Sequence, residues 1–156
     1  MKLLSIEARR ALQNAETPLT DRSLSGLSEL RYKTRQEIAP SVESIFKQKN
    51  FETEIKEIRG IPCLYVYPLQ LKVNWQILYG YGGGFVSGSP FEDLTIAAPI
   101  SVATGAVLII PDYRLAPENP WPAALDDSFS VYQALSDKPF GLVGESAGGN
   151  LGLALI

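Results

Sequence analysis

The stretch FGLVGESAGGN, residues 140–150, sets a serine between two glycines where one sequence texture gives way to another. Its first five residues form a short apolar run of the kind that makes a buried strand, and the following NLGLALI keeps an apolar stripe suited to a helix. A G-x-S-x-G pattern between strand and helix is what a nucleophile elbow needs. On so tight a turn, a Cβ two residues either side of the serine would collide with neighbouring backbone. Gly144 and Gly148 hold those two positions around Ser146. The N–H groups that open the helix, beginning with Ala147, would face an oxygen on which negative charge gathers during acyl transfer. Three fixed positions can coincide by chance, so the reading depends on the rest of the chain.

Upstream, from Phe51 onward, short apolar runs bounded by Gly and Pro read as four more strands: TEIKEI, PCLYVYP, NWQILYG and AVLIIP. Two helical candidates lie between the last three strands. One covers residues 92–104, ended by Gly105 and kinked or shortened by Pro99; the other covers residues 122–135, with Leu125, Phe129 and Tyr132 on one face. Strands alternating with helices imply parallel crossovers, and the apolar runs at 106–110 and 140–143 suit strands covered on both faces. Residues 1–50 are mixed and polar, with helical spacing at Leu4, Ala8, Ala11 and Leu12 and again over 38–46. They read as a helical segment covering a core that occupies 51–156. The final helix is still in its apolar stripe at Ile156, with no cap or terminating glycine, so the core reads as cut short.

Composition removes several classes. The 156 residues are 46% hydrophobic and 20% charged, an ordinary globular balance. Fourteen Lys and Arg against 17 Asp and Glu give a net charge of −3, with no basic block to track a phosphate backbone, so nucleic acid is not an expected partner. The lone cysteine, Cys63, excludes an internal disulfide and reads as a buried strand thiol, which points to the cytoplasm. The apolar run in MKLLSIEARR is too short for a signal-peptide core, and no 18-residue apolar stretch would span a membrane.

A second glycine cluster, Gly82, Gly83 and Gly84 in LYGYGGGFVSGSP, also follows a strand. A phosphate loop fits it badly, because Ser89 stands at the Walker lysine position and Phe85 where a dinucleotide fingerprint wants glycine. No cofactor or metal is implied. Free amides at a strand end would instead suit a second set of oxyanion donors, since in a parallel sheet this turn and the Ser146 turn share the C-terminal edge.

Three stretches in order, LYGYGGGFVSGS, PDYRLAPENPWPAALDD and GESAGGNLGLAL, resemble the hormone-sensitive-lipase-like esterases of the α/β-hydrolase fold, over roughly residues 50–156. The resemblance implies the N-terminal part of an α/β-hydrolase sheet, mostly parallel with helices on both faces, beneath an N-terminal helical cap. It implies a carboxylic ester hydrolase acting on a small ester. Ser146 would be the nucleophile, and the amides of Gly83, Gly84 and Ala147 the oxyanion hole. Asp112, Arg114 and Glu118 would form a structural charge cluster bracing the glycine loop, while Trp121 and Pro122 would pack.

Two departures stand out. The family usually has histidine before the glycines, as a loop-positioning residue, and this chain has Tyr81. Its hydroxyl lies about 2 Å from where an imidazole nitrogen would sit, so the loop is expected to be misaligned. The chain also contains no histidine at all, and so lacks the neutral-pH base that a serine nucleophile needs; in the family the triad acid and histidine lie far downstream of the elbow. The chain is therefore expected to be inactive alone, and either to need a complementary downstream chain or to self-associate through an exposed sheet edge. Two alternatives stay open: a catalytically dead hydrolase-like module that binds a small ligand, and a non-functional gene fragment.

Overall fold

The structure, a computed structural model, describes residues 5–7, 10 and 23–156. The helical spacing at Leu4, Ala8, Ala11 and Leu12 falls outside the described residues. Among those described, five strands make one sheet: β1 (Phe51–Ile58), β2 (Ile61–Pro68), β3 (Gln76–Gly80), β4 (Val107–Pro111) and β5 (Phe140–Gly144), in the order β1-β2-β4-β3-β5. β1 and β2 form a hairpin that turns on Arg59 and Gly60, both at positive φ (51° and 80°), the backbone that lets a two-residue turn follow the strand twist. β2 meets β4 antiparallel, whereas β4, β3 and β5 run parallel, the arrangement expected of strands that alternate with helices.

The crossovers lie on opposite faces. Helix α2 (Leu94–Thr104) joins β3 to β4 and sets Leu94, Ala97 and Ala98 against Ile77, Tyr79, Leu108 and Ile110. Helix α3 (Ala123–Leu135) joins β4 to β5 and brings Val131 to the other face, against Leu78, Ile109 and Cys63. Adjacent β4 residues thus enter different cores, and the apolar run is buried from Leu108 to Pro111, with Val107 half-buried. Burying each such Leu or Ile contributes about 1.5–3 kcal/mol. The run at 140–143 differs: β5 is only half-buried, because it lies at an end of the described sheet with β3 as its sole strand neighbour. Pro99 sits inside α2, which starts two residues later than the sequence suggests and ends at Gly105 in the left-handed conformation. On α3 the expected apolar face is displaced. Phe129 is 44% exposed, while Asp127 and Ser128 are buried.

Helix α1 (Leu24–Phe46) is much longer than the 38–46 stretch that the spacing indicated. Ser23 caps it by accepting from the Gly26 N–H at 3.1 Å, and Glu29 pairs with Lys33 one turn on. It packs on α2, and Val42 joins the same buried cluster as Phe51 and Leu94. No helix among the described residues is long and apolar enough to cross a membrane.

The last helix, α4 (Ser146–Ala154), lies nearly backbone to backbone on the sheet. A Cβ on Gly148 would run into the carbonyls of Gly80 and Tyr81, one on Gly80 would lie 2.8 Å from the Gly148 oxygen, and one on Gly144 would strike the same Gly148 peptide. Each obstacle is backbone, which cannot rotate away. Gly148→Ala should therefore destabilise the chain by about 3 kcal/mol or more. Gly152→Ala, whose Cβ would meet nothing within 4 Å, should cost little. Urea unfolding of the two variants beside the parent measures the contrast.

Candidate active site

Ser146 stands where β5 gives way to α4, with φ at 47°, a left-handed value that a residue bearing a Cβ adopts at a cost of about 1–2 kcal/mol. What holds it there is local. Glu145 is extended and donates its N–H to the Gly80 carbonyl at 3.1 Å, while its own carbonyl accepts from Gly148 at 2.7 Å. The turn thus starts on the sheet's ladder and ends in the helix's first turn, and Ser146 must reverse the chain between them. The serine is exposed.

The glycine loop begins beside this turn, because the Tyr81 carbonyl lies against Gly148 and Gly82 lies against the Glu145 carboxylate. Tyr81, expected to misalign the loop, is fully buried and tied down in both directions. Its hydroxyl donates to the Tyr113 carbonyl at 3.0 Å, and the Tyr113 hydroxyl donates to the Tyr81 carbonyl at 2.7 Å. The two rings stack in parallel, 4.1 Å between centroids. Burial pushes both phenol pKa values up, so each remains a protonated donor. The peptide that carries the Tyr81 carbonyl ends in the Gly82 N–H, which donates to Oδ2 of Asp93 at 3.4 Å; the same oxygen accepts from the Tyr79 hydroxyl at 3.0 Å. Burial raises the Asp93 pKa, against those two hydrogen bonds.

Further along, the Gly83 carbonyl accepts from the Val86 N–H, the Ser87 N–H and the Ser87 hydroxyl at 3.0–3.1 Å. Gly83 and Gly84 both have positive φ, at 113° and 63°. Among the described residues, the N–H groups of Gly83, Gly84 and Ala147 donate to no other protein group. The glycine loop thus meets the Ser146 turn at Gly82 and Glu145, at the C-terminal edge of the sheet, and unspent amides of this kind can stabilise an anionic oxygen.

The charged residues of PDYRLAPE do not form one cluster. Arg114 turns to Asp127, giving Nε and Nη2 to the carboxylate at 2.7–3.1 Å while its backbone N–H adds 2.9 Å. Burial pushes the Asp127 pKa up, but the bonds from Arg114 outweigh it and leave the net shift downward. Glu118 instead pairs with Arg31 on α1 at 2.7 Å, and that bond holds its pKa down at about 2. Burial raises the Asp112 pKa, against the charge of Arg35. Arg114 and Glu118 thus find their partners on different helices, Asp127 on α3 and Arg31 on α1. Trp121, expected to pack, is 84% exposed on the rim of a cavity of about 200 Å³ beside Phe85 and Asn150, and Pro122 is exposed as well. Cys63 is buried as expected, and burial pushes its thiol up to about 12. Arg31, Asp93, Tyr113 and Asp127 are the residues that sequence reasoning did not single out.

With this geometry in view, the sequence matches the alpha/beta hydrolase fold family over residues 77–156, half the chain, and the chain belongs to that family. It is similar to the carboxylesterase NlhH of Mycobacterium tuberculosis, at 26% identity over 86% of this chain and 46% of that protein. It also superposes on the crystal structure of esterase E25 with a TM-score of 0.80, at 26% identity over 97% of this chain and 50% of the other. A hormone-sensitive lipase from a metagenome library superposes with a TM-score of 0.71, at 30% identity over 94% and 47% of the two chains. The chain thus spans about half the length of these relatives.

The Arg31–Glu118 pair has a pH signature. Because the Glu118 pKa is depressed from 4.5 to about 2, the stability it contributes is fully present above 4.5 and is lost as pH falls toward 2. Glu118→Gln should be less stable than the parent at neutral pH, and the gap should close over that acidic window. Unfolding midpoints measured across pH check it; a constant gap would mean that Glu118 does not titrate against Arg31.

Proposed function

We propose that this chain supplies the nucleophile and the oxyanion donors of a serine carboxylic ester hydrolase, acting on a small ester, and takes its general base from residues outside these 156. The observation that carries the proposal is the strained Ser146, at φ 47° between glycine contacts that tolerate no Cβ, on a turn that meets the glycine loop at Gly82, with the N–H groups of Gly83, Gly84 and Ala147 unspent. Strain of this kind is retained where it serves a site. The esterases among the relatives support the substrate class.

In the proposed mechanism the Ser146 Oγ attacks the ester carbonyl carbon, and the amides of Gly83, Gly84 and Ala147 receive the developing oxyanion. The hydroxyl proton must leave as the new bond forms. No histidine is present to take it. The relatives' length beyond the matched half is the proposed source of that base and of its orienting acid. Tyr81, with Tyr113, keeps the loop in register in the part that histidine plays in the family. Residues 24–46 serve as part of the helical cap, and no cofactor is required.

The test is complementation with a short p-nitrophenyl ester. The chain alone should hydrolyse it no faster than its Ser146→Ala variant, although an oxyanion hole without a triad can retain about a thousandfold over water. Tyr81→His alone should leave that background unchanged. Co-expression with the downstream half of a related esterase should give a complex whose turnover disappears on Ser146→Ala. A soluble complex with no Ser146-dependent turnover would overturn the proposal and favour a hydrolase-like module that binds a ligand without reaction.

A further inference from the structure

Helix α1 reaches the glycine loop through one side chain. From Nε, Arg31 donates to the Val86 carbonyl at 2.7 Å, and from Nη2 to the Ala116 carbonyl at 2.9 Å. The outer edge of the guanidinium takes both oxygens of Glu118, at 2.7 and 2.9 Å. The 116–118 segment is joined to the loop a second time, because the Ala116 N–H donates to the Phe85 carbonyl at 2.8 Å. Arg31 therefore clamps a helix and two loops at one point, with a side chain only 27% exposed.

The consequence follows from peptide planarity. The carbonyl of Val86 and the N–H of Ser87 belong to one rigid unit, so a bond that fixes the first fixes the second. That Ser87 N–H donates to the Gly83 carbonyl at 3.0 Å. The Gly83 carbonyl and the Gly84 N–H belong to the next such unit, and in a trans peptide the N–H points opposite to the carbonyl. Two rigid planes joined by the Ser87 N–H bond thus run from the Arg31 Nε to the Gly84 N–H, with the Val86 N–H and the Ser87 hydroxyl adding two further bonds to the same Gly83 carbonyl. With φ positive at both Gly83 and Gly84, little in the local chain would hold that N–H in one direction without the bonds.

We propose that Arg31 is a positioning residue for the oxyanion hole, setting the direction of the Gly84 N–H through the Val86–Ser87 peptide. The proposal rests on the reading of Gly84 as an oxyanion donor, and it makes the N-terminal helix part of the loop's geometry as well as its cover. A lysine at this position could reach one carbonyl but could not supply the fork.

Amide exchange and amide chemical shifts measured by NMR on the 156-residue chain test this without any ester. Arg31→Ala should speed exchange of the Ser87 amide by about tenfold or more relative to Leu108 in β4, and should move the Gly84 resonance. Arg31→Lys should act in the same direction, and Glu118→Gln, which leaves both carbonyl contacts in place, should act least. Equal acceleration at Ser87 and Leu108 would mean general destabilisation and would overturn the proposal. Faster exchange in α1 with Ser87 and Gly84 unchanged would overturn it too, reducing Arg31 to a tether. If Arg31→Ala does not fold, Arg31→Lys decides: an unmoved Gly84 resonance there contradicts the proposal. Because no turnover is read, a positive result stands even if the complemented protein proves inactive, and the two readings can fail separately.

Discussion

The approach of Gly148 to β3 is the contact on which the rest of the structure depends. Three glycines, Gly80, Gly144 and Gly148, allow the first turn of α4 to press on the sheet with no side chain between. That closeness leaves Ser146 no room to continue the strand or to start the helix with ordinary dihedrals, so it takes φ 47° and presents its hydroxyl outward. Packing and strain are one fact seen from two sides. The helix gains its contacts with Leu151 in the core, and the serine bears the local cost of the turn.

The glycine loop solves a different problem. Glycines give its amides freedom to face outward, but freedom alone would leave them aimed nowhere in particular. The structure removes that freedom from three sides. Tyr113 and Asp93 hold the Tyr81–Gly82 peptide at both its ends, and Ser87 and Val86 hold the Gly83 carbonyl. Arg31 brings the third restraint from α1. The Tyr81 substitution fits this scheme because a second tyrosine, Tyr113, stacks on its ring and returns its hydrogen bond. Tyr81 alone suggests a misfit; as half of a reciprocal pair it is accommodated.

What could be read from the sequence was local in the chain. The strands at 107–111 and 140–144 were legible because apolar runs between glycines and prolines have few other uses, and the elbow because its glycines sit two residues either side of Ser146. The charge partners were not legible. Arg31 meets Val86 across 55 positions and Glu118 across 87, and no periodicity connects them. Asp127 is a charge that helical spacing does not mark as buried, and the folded position of Arg114 is what makes its burial tolerable. The extent of α1 was hidden because its surface is mostly polar, with only Gly26, Leu27 and Val42 buried.

The proposed account is that Ser146 and the amides of Gly83, Gly84 and Ala147 are prepared for acyl transfer, while the base and its orienting acid come from residues outside these 156. Intact-mass and peptide mass spectrometry after exposure to a p-nitrophenyl ester, with and without imidazole in solution, tests it most directly. The account predicts an acyl adduct on the Ser146 peptide that forms only when imidazole supplies the missing base and that vanishes in Ser146→Ala. Equal acylation of Ser146 without imidazole would reveal a base within the chain, and no acylation under either condition would show that the site is not prepared; either result would contradict the account.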